Sequence, residues 1–405
     1  MSAASSVLDT PIILYIKNEN THEAMISHLS NLQFNKTTHV KDTKELHDAA
    51  SENANSLIIM DWNEKETALL LEKFKHSKTH YQPIYLLINL DNPNILNILS
   101  DYEITIVQVA PPSKSQVTQA LKTIFSNKSP IAEQVEQFHQ VTTARHDDNL
   151  IDAETILRDL IETHPDNLKY RSELASILIE QGEWHEANQI VSEILAQDRS
   201  LPRALHLKAR CLLQDKHYDK AADYMSKCTS LNPYSVSRLI ALGNVLLSKA
   251  DPQLARNAFV SAEDLDAANL EAKKGIAVCD MVTERISEAV SFLQELNSES
   301  EMASVFNNAG VVAIKQGKTA DAMKLYGIAE SMLKSKSLLA RVMYNHALAY
   351  FRSHDQDSAI EYLKKSIKAD PHFEKAIRLF NKYKSNYEIT LTGIEVDFES
   401  FDEEF

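Results

Sequence analysis

Apolar and polar positions along the chain follow two regimes, and the change falls near residue 127. Up to that point short apolar runs alternate with helical stripes. "PIILYI" (11–16) predicts a strand, and "THEAMISHLSNL" (21–32) a helix with Ala24, Met25, Ile26, Leu29 and Leu32 on one stripe. A strand near "KTTHV" (36–40) and a helix over 43–53 follow. "SLIIM" (56–60) reads as a strand covered on both faces, because its apolar residues are continuous. A helix over 64–77, "PIYLLI" (83–88), a helix over 92–101, "TIVQVA" (105–110) and "SKSQVTQALKTIF" (113–125) complete the set. Five strand–helix units in about 125 residues predict a doubly wound parallel sheet, whose ligands sit beyond the carboxyl ends of the strands.

Beyond residue 127 the pattern is helical and periodic. Alanines recur at Ala153, Ala187, Ala221, Ala255, Ala289, Ala322 and Ala359, at intervals of 34, 34, 34, 34, 33 and 37. Twelve residues before each stands Val141, Ala175, Ala209, Gly243, Ala277, Gly310 and Ala347, six of the seven small. Two antiparallel helices cross closely only where the crossing residues are small. Leu157, Ile190, Tyr224, Phe259, Phe292, Tyr326 and Tyr362 then fill the gaps. Pro165, Pro233 and Pro371 mark helix ends. The 37-residue interval predicts a longer helix over 328–336.

Composition narrows the chemistry. The 405 residues carry a net charge of −15 with no basic run, which opposes a nucleic-acid partner. Seven glycines, the first at Gly182, leave neither a Walker loop nor a GxGxxG fingerprint. Cys211, Cys228 and Cys279 are far apart and suit buried thiols. No HExxH, GxSxG or metal-ligand spacing occurs, so a non-enzymatic protein without cofactor is expected. The N-terminus lacks a signal-peptide pattern and no apolar stretch is long enough to span a bilayer, so a cytoplasmic protein without membrane insertion is expected.

"ILYIKNEN", "IIMDWN" and "VAPPSKSQVTQALKTIF" together resemble the receiver domain of bacterial response regulators, over residues 11–125. The resemblance implies a flavodoxin-like (βα)5 fold. It places Asp61 on the phosphoacceptor. The acidic pair that holds Mg²⁺ falls on Lys17 and Asn18, the hydroxyl residue ending the fourth strand on Ile88, and the lysine on Ala110. Four of five chemical positions are therefore lost. Phosphoryl transfer to a carboxylate needs charge neutralised on the transferring oxygens by a cation with oxygen ligands. Lys17 puts an ammonium there instead, and a Lys17–Asp61 ion pair is expected. Asp61 then reads as a vestigial phosphoacceptor in a degenerate pocket, with Glu19 left to offer one ligand. The loop after Asp61 is expected to enter a helix almost at once, and Ala110–Pro111 sits where receivers often have a cis bond.

The 34-residue period resembles the tetratricopeptide repeat (TPR), over about 250 residues, and implies an α-solenoid of about seven helix pairs. The first helix of each repeat lines the binding face. Asn308 and Asn345 hold equivalent positions there, where asparagines in peptide-binding repeats hold the peptide backbone. Arg341, one turn earlier, could meet a carboxylate. The competing view is that the two asparagines bridge neighbouring helices.

The expected domains are a receiver-like part over 1–127, repeats over 128–387 with the linker at 126–133, and an acidic tail over 388–405. The tail has seven carboxylates, no Lys or Arg, and three aromatics, Phe398, Phe401 and Phe405. It suits either a solvated end or a docking peptide. The leading function is an adaptor in two-component signalling. Its pseudo-receiver would dock a sensor histidine kinase or another response regulator, and its repeats would hold a second protein. One alternative is a true phospho-accepting regulator acting through Asp61, with Mg²⁺ as cofactor. Another is an assembly scaffold, with the receiver-like part as a homodimer surface.

Overall fold

A computed structural model describes residues 8, 10–53, 56–75, 82–89, 95–99, 102, 104–125, 140–296 and 298–386. The linker at 126–133 and the tail with Phe398, Phe401 and Phe405 lie outside the described residues. The chain forms two compact units, Met1–Ser235 and Val236–Phe405. That division falls inside the helical array, whereas the boundary expected at 127/128 lies within the first unit.

The first unit opens with five strands and five helices in alternation: β1 (Ile12–Tyr15), α1 (Glu19–Asn31), β2 (Thr37–His39), α2 (Thr43–Glu52), β3 (Leu57–Asp61), α3 (Glu64–Lys75), β4 (Ile84–Ile88), α4 (Ile95–Leu99), β5 (Ile106–Val109) and α5 (Lys114–Phe125). All strand pairs are parallel, in the order β2-β1-β3-β4-β5. Alternation along each strand sends its apolar side chains to two layers. Ile12, Leu14, Leu57, Ile59, Tyr85 and Leu87 pack with Met25 and Leu29 of α1 and Val117 and Leu121 of α5. Ile13, Tyr15, Ile58, Met60, Ile84 and Leu86 pack with Leu46 of α2, Phe74 of α3 and Ile98 of α4. With both faces covered, the central strands are apolar throughout, as "SLIIM" and "PIYLLI" predict. The sheet reverses its winding between β1 and β3, so the crevice beyond their carboxyl ends is the natural ligand position.

A helical stretch over 140–146 then leads into α6 (Leu150–Thr163), α7 (Leu168–Gln181), α8 (Trp184–Gln197), α9 (Pro202–Gln214) and α10 (Tyr218–Leu231), all in the first unit. The second unit holds α11 (Val236–Ser248), α12 (Pro252–Leu265), α13 (Leu270–Val282), α14 (Ile286–Glu295), α15 (Glu299–Lys315), α16 (Thr319–Met332), α17 (Lys336–Arg352), α18 (Gln356–Ala369) and α19 (Glu374–Asn386). The seven periodic alanines are all buried, and so are the seven residues twelve positions before them. A Cβ built on Gly243 would stand 2.5 Å from the ring of Phe259, so that crossing admits no larger residue without movement. Asn149, Asn167, Asp251, Asn269, Ser298 and Asp355 cap their helices with side-chain oxygens. Helices α6, α10 and α18 end two residues before Pro165, Pro233 and Pro371.

Each first helix ends on a left-handed residue: Asp148, Gly182, Lys216, Ala250, Glu284, Gly317 and His354. Their spacing repeats the alanine spacing, yet only two of the seven are glycine. The unequal intervals have a different source from the one expected. Helix α16 stops at Met332, and the helix expected over 328–336 does not form. Helices α15 and α17 are the long ones, 17 residues each, and α14 is shortened to 10. Gln316 Nε2 donates to the carbonyl of Ala250 at 3.1 Å, joining the turn of one repeat to the turn two repeats earlier.

Candidate functional site

Asp61 ends β3, and Lys17 and Asn18 follow β1, so the sheet register brings all three to the crevice. The backbone amides of Lys17 and Asn18 both donate to Asp61 Oδ2, each at 2.9 Å. Asp61 Oδ1 is buried with no partner among the described residues.

The expected Lys17–Asp61 ion pair is not formed. Lys17 Nζ meets Glu66 Oε2 at 2.5 Å, and the Tyr15 hydroxyl donates to Glu66 Oε1. The cause is local. Helix α3 starts three residues after Asp61, and this early start delivers Glu66 from its first turn to the mouth of the crevice. Asp61 Oδ2 accepts from two amides and Oδ1 is buried, whereas Glu66 stands at the mouth, where the exposed Lys17 ammonium meets it. Burial alone would raise the Glu66 pKa, but the bonds from Lys17 and Tyr15 outweigh it and hold the carboxyl below its ordinary value. Burial, then the bond to Glu66, push the Tyr15 phenol well up. Glu66 escaped the sequence reading. The signal that could have found it was the absent proline and glycine after Asp61, which brings a helical carboxylate close.

The remaining pocket positions are spread out. Asn18 is the N-cap of α1, its side chain accepting from the Thr21 amide at 3.0 Å, and Glu19 is exposed in the first turn. Ile88 is buried at the end of β4, Ala110 is half-buried, and the Ala110–Pro111 bond is cis. These residues do not fit Mg²⁺. The ion needs several oxygen ligands in near-octahedral order. Here an ammonium stands at the mouth, Asp61 has one oxygen committed, and Glu66 is committed to Lys17 and Tyr15.

The repeats offer a second surface, the exposed side of the first helices. Asn308 on α15 is exposed there. Asn345 is fully buried and donates to Asn307 Oδ1 on α15. The two asparagines share a repeat position but not an environment, because only α17 faces an asparagine on the preceding first helix. Arg341 is half-buried and itself engaged in an interaction. Nearby, His346 is buried, its Nδ1 2.7 Å from Glu330 Oε1 and its ring 4.1 Å from that of Tyr362, between centroids.

In the first unit the same surface is charged. Buried Glu173 on α7 meets Arg145 at 3.5 Å and Arg203 of α9, and Arg145 also pairs with Glu180. Arg210 of α9 is half-buried and has no hydrogen bond or ion pair among the described residues. No sequence signal singled this row out, because its residues come from three repeats. Among the described residues there is no group of three or more His, Cys, Asp or Glu placed to hold a metal. The three cysteines are buried, and burial pushes the Cys279 thiol up to about 12. No described helix is long and apolar enough to cross a membrane.

Family models for the tetratricopeptide repeat match residues 144–211, 202–235 and 340–373. No curated protein matches the chain. Among solved structures it is similar to a tetratricopeptide repeat protein from Parabacteroides merdae, at 17% identity over 61% of this chain and 96% of that one, with a TM-score of 0.41. It is similar also to pilF of Pseudomonas aeruginosa (16% identity, 62% and 96% covered, TM-score 0.35). A third is YrrB, described as a TPR protein with an unusual peptide-binding site (17%, 56% and 97%, TM-score 0.31). The family matches and the period agree: the chain carries tetratricopeptide repeats, a protein-interaction module, beside an N-terminal α/β part with a parallel sheet.

Proposed function

We propose that the chain is a non-enzymatic signalling adaptor. Its N-terminal α/β part is a receiver-like domain that docks a sensor histidine kinase or a response regulator, and its repeats hold a second protein partner, modulating phosphotransfer. The observation that carries this reading is the Lys17–Glu66–Tyr15 cluster at the mouth of the Asp61 crevice. It ties the ammonium at the mouth of the crevice to a second carboxylate, so that these groups satisfy one another and leave no set of free oxygens for a metal ion. The pocket keeps its shape and its carboxylate but has no place for the ion that would screen an incoming phosphoryl group. In a decoy of this kind the docking surface acts by mass action, competing with the true regulator for the kinase.

One observation favours the alternative, a phospho-accepting regulator: Asp61 Oδ1, though buried, has no hydrogen-bond partner among the described residues and so remains uncommitted. The two readings separate on the full chain treated with acetyl phosphate and Mg²⁺. Trp62 adjoins Asp61, so its emission reports ion binding at the crevice. The adaptor reading expects no Mg²⁺-dependent change in emission and no acid-labile phosphate on the protein. Labelling that Asp61→Asn abolishes would overturn it. Pull-down with the full chain, comparing wild type with Asn308→Ala, tests the repeat half. Kinase or regulator recovery supports signalling, and recovery of assembly machinery alone supports a scaffold.

A further inference from the structure

Two histidines face each other at the outer edge of the parallel sheet. His39 is the last residue of β2, the outermost strand, and His22 closes the first turn of α1 beside it. The connection brings residues 17 positions apart together, with His22 Nε2 3.0 Å from His39 Nδ1. The rings lie 5.1 Å apart between centroids and cross at 85°. His39 is exposed and His22 half-buried. Among the described residues neither side chain has another hydrogen bond or ion pair, so His22 Nδ1 and His39 Nε2 face no protein partner. Partial burial, then the neighbouring imidazole, lower the His39 pKa below its ordinary value, which keeps that ring neutral. Neutral imidazole nitrogens that converge are ligands for zinc, copper or nickel. Both lone pairs point inward when each ring carries its proton on the far nitrogen, where water accepts from it. Tetrahedral Zn–N bonds of about 2.0–2.1 Å set neighbouring nitrogens about 3.3 Å apart. The pair has to open by only about 0.3 Å, which a small rotation of the exposed His39 ring supplies.

Two nitrogens are half of a tetrahedral site. Among the described residues no third His, Cys, Asp or Glu joins them. A twofold axis doubles any pair that lies on an accessible surface, and the pair sits at the open edge of the sheet. We propose that His22 and His39 form half of a zinc site that a second copy of the chain completes, four imidazoles holding one ion across a twofold axis. The net charge of −15 on each copy opposes association, so the dimer depends on the cation. The site lies on the far side of β1 from the Asp61 crevice, which opens between β1 and β3. It stands whether or not the N-terminal part docks a kinase or a regulator.

The test uses the full chain without an affinity tag, first stripped of metal and then titrated with ZnCl2. Light scattering on a sizing column is expected to show the mass doubling with zinc and returning with EDTA. Equilibrium dialysis should find one tightly held ion per two chains. CoCl2 in place of zinc should give the intense visible bands of a tetrahedral ion, a readout that needs no variant. His22→Gln and His39→Gln each remove two of the four ligands. Either should weaken zinc-dependent association at least about 100-fold, the share of such ligands in a four-ligand site. The two side chains bond only to each other, so circular dichroism melts should show both variants folded. No doubling with zinc, equal doubling by the variants, one tight ion per chain on a monomer, or cobalt without tetrahedral bands each overturns the proposal.

Discussion

Glu66 accepts from the Lys17 ammonium and the Tyr15 hydroxyl, and together they hold its carboxyl below the ordinary range. The consequence for stability has a definite sign. Above the ordinary carboxylate value both the folded and unfolded chains have Glu66 ionised, and the full contribution is present. As pH falls below that value the unfolded chain takes up the proton first, and the contribution shrinks until it is lost below the folded pKa. Glu66→Gln has no such term. Urea midpoints of wild type and Glu66→Gln should therefore differ most at pH 6 and converge towards pH 3; a constant difference would mean that the cluster contributes no charge. At this scale the sequence was readable where a residue acts through its backbone position. Asp61 at the end of a strand and Ile88 at the end of the next one are such cases. It was not readable where a partner arrives from elsewhere in the fold. Lys17 meets Glu66 rather than Asp61 because Glu66 arrives at the mouth from helix α3 while the unfilled Asp61 oxygen is buried, and Asn345 meets Asn307 across 38 positions.

Helices and their turns were legible because the constraint repeats. Close crossings demand small residues every 34 positions, and the chain supplies them in register. What periodicity could not allot was the surplus residues in the long repeat, since a count fixes the total and not the helix that absorbs them. They went to the start of α17, where a helix can grow without disturbing a crossing. The turns give a paired prediction. Gly243→Ala drives a methyl into the Phe259 ring and should destabilise by about 1–3 kcal/mol. Ala250→Gly, seven residues on, relieves a left-handed alanine with φ of 64° and should stabilise by up to about 1 kcal/mol, the relief exceeding the added backbone entropy. Urea denaturation followed by circular dichroism measures both, and opposite signs within one helix and the turn that follows it exclude a generic effect of substitution.

The whole molecule has two compact units, and both of its tryptophans, Trp62 and Trp184, belong to the first. Emission therefore reports that unit, whereas far-ultraviolet circular dichroism reports all the helices. The two unfolding curves are expected not to coincide, and Gly243→Ala should move the dichroism curve while leaving the emission curve in place. Coincident curves that shift together would mean a single cooperative block. Fold class at this scale was open to the sequence, because strand-length runs and a 34-residue period are both local signals. The division at Ser235 was hidden, because it falls inside the periodic region, where composition does not change. The bond from Gln316 to the Ala250 carbonyl belongs to the second unit and joins turns two repeats apart. Drawing those two turns away from each other therefore has to break this bond as well as part the apolar faces of the repeats between them.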